Sequence, residues 1–144
     1  MTSEELRGLV YRSYEAFDRG DRSFVIDLFH DDIQWRMLAP PEALPIPNVV
    51  KGKPQVLAAL QRIDEVVEIV RNELLLVMVD GHRAAVVCDR VLRQRASGRV
   101  MRYKVAAFQT YQDGKLIEYL AFADSLDLLE QQLGHELEFP TAYT

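Results

Sequence analysis

The sequence predicts an α+β fold in which a curved, mostly antiparallel sheet carries helices on one face. Three observations predict it. The N-terminal residues repeat apolar side chains at helical spacing, and the second half holds four long runs of strand character. Asp80-Gly81, Ser97-Gly98 and Asp113-Gly114 separate those runs, each a two-residue hairpin signal. The resulting order is ααβαββββα, within one domain spanning residues 1–144.

The elements follow in order. Residues 3–19 form an amphipathic helix that Ser3 can cap, with Leu6, Val10, Tyr14 and Phe17 at spacings of three and four. Gly20-Asp21 ends it, and Asp21 can cap a short second helix carrying Phe24, Leu28 and Phe29. Ile33, Trp35 and Met37 alternate with Gln34 and Arg36, the pattern of a half-buried strand. Pro40, Pro41, Pro45 and Pro47 make residues 39–52 a loop, and Pro54 opens a helix bearing Val56, Leu57, Leu60 and Ile63. Strands are expected at 67–79, 83–95, 99–112 and 115–123, then a helix at 125–133 and a tail with Phe139 and Tyr143.

Composition narrows the function. Hydrophobic residues make up 49% and charged residues 27%, as in ordinary soluble domains. A net charge of −5 argues against a nucleic-acid or anionic-membrane partner. The longest apolar run, Leu74 to Val79, is six residues, too short to span a bilayer. The first residues lack the basic and apolar regions of a secretory signal, and the lone Cys88 suits a reducing compartment; a cytoplasmic location is expected.

Turn geometry sets an expected register. Two-residue loops at Ser97-Gly98 and Asp113-Gly114 would pair Leu92 with Tyr103, Arg90 with Val105, Val105 with Phe122 and Tyr103 with Asp124. Arg90, Leu92, Tyr103, Val105, Leu120, Phe122 and Asp124 would then share one surface, a set that a single bulge would partly invert. Asp124 is the most informative member, because an acid at the inner end of an apolar strand is costly unless paired or used. It equally reads as the cap of the last helix. The opposite face, with Val87, Phe108 and Tyr119 in one row, is apolar too, so a second cover is expected. A homodimer through this outer face and a folded-back C-terminal tail are the two candidates.

The chain resembles the SnoaL-like branch of the nuclear transport factor 2-like superfamily, which includes ketosteroid isomerases and limonene epoxide hydrolases. The resemblance rests on Tyr14-Glu-Ala-Phe-Asp-Arg-Gly-Asp21, Leu28-Phe-His-Asp-Asp-Ile33, Gly52-Lys-Pro and Asp113-Gly-Lys-Leu-Ile running to Asp124. It implies a cone-shaped α+β barrel, a strongly curved mixed sheet packed against N-terminal helices around an apolar pocket. Asp124 matches the acid–base aspartate of SnoaL-like cyclases. Arg90 looks like the arginine of the hydrolase Arg-x-Asp motif, but the acid of that motif falls on Leu92. The isomerase base falls on Met37, and the isomerase tyrosine aligns nearest Ser13, beside Tyr14. Epoxide hydrolysis and steroid isomerisation are both disfavoured.

The expected activity is cofactor-independent proton transfer on a small apolar carbonyl-bearing metabolite, of isomerase, cyclase or lyase type. Asp124 would move the proton, Tyr103 would orient it, and Arg90 would bind the carbonyl oxygen or an acidic group. Tyr14, Phe17, Trp35, Met37 and Leu60 would line the cavity from the helices and first strand. Cys88, Leu92, Val105, Leu120 and Phe122 would line it from the sheet. The alternative is a non-catalytic ligand-binding or dimerisation module of the same fold. His30, His82 and His135 have no metal-ligand spacing, so no metal is expected.

Overall fold

A computed structural model describes residues 1–140; Tyr143 of the expected tail lies outside the described residues. Helix α1 spans Ser3–Asp18. Thr2, not Ser3, caps it: its hydroxyl accepts from the Glu5 amide at 3.1 Å while Glu5 accepts from the Thr2 amide at 2.8 Å. The Ser3 hydroxyl instead accepts from the Gly81 amide at 3.1 Å, tying the helix to a distant turn. Helix α2, Arg22–Asp27, is capped by Asp21 and stops before Phe29. Phe29 opens strand β1, Phe29–Leu38, and packs edge-on against Trp35, whereas the spacing predicted a helical position for it.

The proline-rich loop contains one short strand that periodicity did not reveal, β2, Val49–Lys51. Helix α3, Lys53–Val66, follows with Pro54 in its first turn, where a missing N–H costs nothing. Strands β3, Val67–Asp80, β4, Arg83–Gln94, β5, Val100–Gln112, and β6, Lys115–Ala123, match the expected runs closely. Helix α4, Ser125–Leu133, ends the regular structure. Asp113 and Gly114 both have positive φ, 52° and 75°, the paired left-handed geometry of the tightest hairpin turn.

The sheet order is β2-β1-β6-β5-β4-β3, with β1 parallel to β6 and every other pair antiparallel. The edge strands do not pair with each other, so the sheet curls into an open cone rather than a closed barrel. Helix α1 packs across β3 and β4, and α3 packs across β1, β2 and β3. Leu6, Val10, Val56, Ile33, Met101 and Leu128 are fully buried between these layers. That is the α+β fold expected from the chain.

Two registers differ from the expected ones. Gln94 and Arg99 close a four-residue loop, residues 95–98, through Gln94 N–H donating to Arg99 O at 2.8 Å. Arg90 therefore opposes Tyr103, and Cys88 opposes Val105. The slip is two residues, so every side chain keeps its face. On the other side, Gln112 pairs with Lys115 as expected, but a bulge between Thr110 and Tyr111 shifts the rest by one residue. Beyond it Gln109 opposes Tyr119 and Ala106 opposes Phe122. Side chains alternate with period two, so a one-residue shift turns Tyr119, Ala121 and Ala123 inward and Leu120, Phe122 and Asp124 away.

The outward face carries Phe108 and Phe122, 48% and 44% exposed, with ring centroids 6.2 Å apart. Met78, Ala85 and Phe108 form one row, and Leu76, Val87, Ala106, Phe122 and Leu38 form the next. Phe139 in the tail is itself exposed, so this residue is not packed on that face.

Candidate functional site

Between the helices and the inner face of the sheet lies a cavity of about 120 Å³. A single water needs roughly 10–15 Å³ by the same measure, so there is room for a small organic molecule. Its wall is largely apolar: Phe17, Met37, Leu60, Ile63 and Leu92 face it, with Trp35 stacked on Tyr119. Tyr14, Arg90 and Tyr103 also line it. The structure thus brings eight of the expected residues together: Tyr14, Phe17, Trp35, Met37, Leu60, Arg90, Leu92 and Tyr103.

Five expected residues are placed elsewhere. Cys88 and Val105 point inward but are packed into the core behind the lining. Leu120 and Phe122 face outward because of the bulge in the β5–β6 ladder. Asp124 is exposed, and its carboxylate accepts from the Asp127 amide at 3.4 Å as the cap of α4. The expected convergence of Asp124 with Tyr103 and Arg90 is therefore corrected: the arginine and the phenol meet, and the acid does not join them.

Arg90, Asn72 and Tyr103 lie in one row across β3, β4 and β5. Arg90 Nε donates to Asn72 Oδ1 at 3.3 Å, and the Asn72 amide donates to Asp18 Oδ1 at 2.8 Å. Burial opposes the Arg90 charge, while Tyr103, Tyr119, Cys88 and Tyr14 around it favour the cation, and the net shift is upward. A guanidinium stays protonated in any case.

A second chain of polar groups crosses the cavity wall. The Tyr111 hydroxyl donates to Gln109 Oε1 at 3.0 Å, and Gln109 Nε2 donates to the Tyr14 hydroxyl at 3.2 Å. The Tyr14 hydroxyl accepts in that contact and donates to no group among the described residues, which leaves its proton available. Burial pushes the Tyr14 phenol well up and raises Tyr111 as well. Burial likewise raises Tyr119, against the opposing pull of Arg90. These phenols remain neutral donors at physiological pH.

Among the described residues Asp64 is the one carboxylate on the lining, at the partly exposed rim, where Arg22 Nη1 holds it at 2.6 Å. Arg22 also lies 5.0 Å from the Phe17 ring centroid. The inner wall therefore offers Arg90, several phenols and two amides, and among the described residues no unpaired carboxylate. It is built to hold an acceptor oxygen. Burial raises the Cys88 thiol, which fits an inert core residue. No group of three or more His, Cys, Asp or Glu suited to a metal occurs among the described residues.

Sequence reasoning missed Asn72, Gln109, Tyr111, Tyr119 and the Arg22–Asp64 pair. Gln109 and Tyr111 were within reach, since the alternation that turns Tyr103, Val105 and Ala107 inward continues to them. Tyr119 needed the bulge. The unbulged register puts Glu118 on the inner face, and a charge buried there was the signal against it.

Comparison with known proteins places this geometry. A protein of Rhodopseudomonas palustris, provisionally described as an isomerase, is 26% identical over 94% of this chain and 100% of its own, with a TM-score of 0.78. A nuclear transport factor 2-like protein of unknown function from Burkholderia pseudomallei is 20% identical, covering 87% of this chain and 95% of its own, with a TM-score of 0.77. A provisional polyketide cyclase of Xanthomonas campestris is 19% identical, covering 90% and 97%, with a TM-score of 0.72. No curated protein matches the chain significantly. The family model for a SnoaL-like domain matches residues 10–119, most of the chain. By sequence this chain belongs to the SnoaL-like domain family, and its fold is similar to that of nuclear transport factor 2-like proteins.

Proposed function

We propose that the chain is a cofactor-independent enzyme that moves a proton at the carbon beside the carbonyl of a small, mostly apolar molecule. The reaction would be of isomerase, cyclase or lyase type. One observation carries this reading: the inner cavity wall gathers hydrogen-bond donors in one hollow, with Arg90 opposite Tyr103 and the Tyr14 hydroxyl nearby. Such a wall favours the enolate oxygen over the ground-state carbonyl, because negative charge develops there in the transition state. Apolar contacts with Trp35, Met37 and Leu60 would hold the body of the ligand. The proton acceptor is Asp64, the carboxylate that the lining offers among the described residues, since Asp124 faces away.

The test needs no knowledge of the natural substrate. Enolisable ketones, aldehydes and oxo acids are incubated in D₂O, and exchange of their α-hydrogens is followed by NMR. The wild-type protein is expected to accelerate exchange in at least one compound. Arg90→Met should lose that acceleration by about 10²–10³-fold, the usual cost of an oxyanion donor. A compound that binds but exchanges only at the solvent rate would defeat the catalytic reading.

The alternative is a ligand-binding module without chemistry. Two observations favour it: Asp124 is committed to capping α4, and Asp64 is committed to Arg22. Pairing of two copies through the outer sheet face fits either reading, because two adjacent apolar rows cross that face.

A further inference from the structure

Arg90 is the one lining cation without a carboxylate partner among the described residues. Arg22, the other, is neutralised by Asp64 at 2.6 Å. The Arg90 side chain meets the neutral Asn72 amide through Nε and also bears on the Tyr119 hydroxyl and the Cys88 thiol. None of these groups carries a formal negative charge at neutral pH. The hollow therefore holds one net positive charge among aromatic and aliphatic walls. Withdrawing a guanidinium from water is expensive, and a neutral amide does not return the Coulombic part.

The neutrality of Asn72 matters here. A carboxylate at that position would quench Arg90 and leave a site for neutral oxygens. Asn72 instead orients the guanidinium from its Nε edge and leaves its charge intact, and its backbone is held in turn by Asp18. The terminal nitrogens of a guanidinium match the two oxygens of one carboxylate, a geometry that neither phenols nor amides reproduce. A single uncompensated cation in so small a cavity matches a single negative charge.

We propose that the molecule taken by this cavity is a monocarboxylic acid bound as its anion. Its carboxylate lies on Arg90, and its apolar body lies against Trp35, Met37, Leu60 and Ile63. Asn72 acts as a positioning residue for Arg90. This rests on the reading that the cavity takes a small apolar carbonyl-bearing molecule, and it adds the charge of that molecule. For such an acid Arg90 anchors the carboxylate and the Tyr14 hydroxyl is the donor to the reacting carbonyl oxygen, whereas a neutral ketone, which lacks the carboxylate, sets its oxygen on Arg90.

The experiment is isothermal titration of the full chain with butanoate, hexanoate and phenylacetate. Each acid is compared with its primary amide and with the corresponding methyl ketone. The acid of at least one series should bind about tenfold to a hundredfold more tightly than its amide, as expected for a charge-assisted pair in a dry site. Arg90→Met should remove that preference while the methyl ketone still binds, and Arg90→Lys should keep part of it. Asn72→Asp should reduce acid binding and spare the ketone. If ketones and amides bind as tightly as the acids, the anion is excluded while the carbonyl reading stands. If no member of any series binds the folded protein, both readings fall.

Discussion

Trp35 and Tyr119 stack with ring centroids 3.9 Å apart and planes 16° from parallel, directly opposed across the β1–β6 pair. The contact exists only because the bulge in the β5–β6 ladder turns Tyr119 inward. Burial of two aromatic faces plus the preference for offset stacking outweighs one irregular ladder position. Tyr119→Ala should therefore cost about 3–5 kcal/mol in urea denaturation, in line with large aromatic truncations. Tyr119→Phe preserves the stack and should cost much less.

Asp124 caps α4 through the Asp127 amide. Asp124→Ala is expected to lower stability by about 1 kcal/mol. Asp124→Ser, which restores a capping oxygen, should recover most of that loss. Neither change should alter ligand binding or α-hydrogen exchange, measured by calorimetry and NMR. A loss of exchange in Asp124→Ser with stability retained would return Asp124 to the mechanism.

Gln109 links the buried Tyr111 phenol to the half-buried Tyr14 phenol, accepting from Tyr111 and donating to Tyr14. Gln109→Leu strands both hydroxyls in an apolar wall and should cost about 1–3 kcal/mol, an unsatisfied-group penalty. The Tyr111→Phe, Gln109→Leu double variant should cost less than the sum of the two single changes. A double-mutant cycle by thermal denaturation reads this coupling directly.

Asp89 is nearly buried on the outer face, and Arg102 hydrogen-bonds its carboxylate through Nε at 2.9 Å. That contact, chiefly the hydrogen bond, lowers the Asp89 pKa below its ordinary value. A depressed carboxylate stabilises the fold above its unfolded pKa and stops doing so as pH falls through its folded pKa. The urea midpoint should thus begin to fall below about pH 4, the ordinary aspartate range. Asp89→Asn should flatten that part of the profile and leave the neutral range sloping as before.

Phe108 and Phe122 form the centre of the exposed apolar rows. If two copies pair there, Phe108→Glu places like charges in the middle of the interface and should give a monomer by sedimentation equilibrium. Because Phe108 is half exposed in one chain, the substitution should change monomer stability little, by about 0.5 kcal/mol or less. An unchanged sedimentation profile, whether monomeric or dimeric, would remove this face as the dimer surface.

The element order was legible in the chain because it depends on local patterns. Leu6, Val10, Tyr14 and Phe17 mark one face of α1, and Asp113-Gly114 has the turn chemistry that a tight hairpin requires. The three-residue β2 was not legible, since the loop that holds it has no period to read. Eight of the expected cavity residues line the hollow: helical spacing placed Tyr14, Phe17 and Leu60, strand alternation placed Trp35 and Met37, and the parity of Arg90, Leu92 and Tyr103 survives the two-residue slip between β4 and β5.

The sequence by itself determined the α+β fold, the inward face of β4 and β5, and Arg90 and Tyr103 as neighbours in an apolar hollow. Only the tertiary structure decided that Asp124 stays outside and that Tyr119 and Asn72 join the wall. The physical reason is the exact two-residue period of a strand. One extra residue in the β6 ladder reverses every side chain after it, and that residue is placed by packing between distant segments. Glu118 and Tyr119 settle the choice together: water keeps the charge outside, and Trp35 draws the ring in.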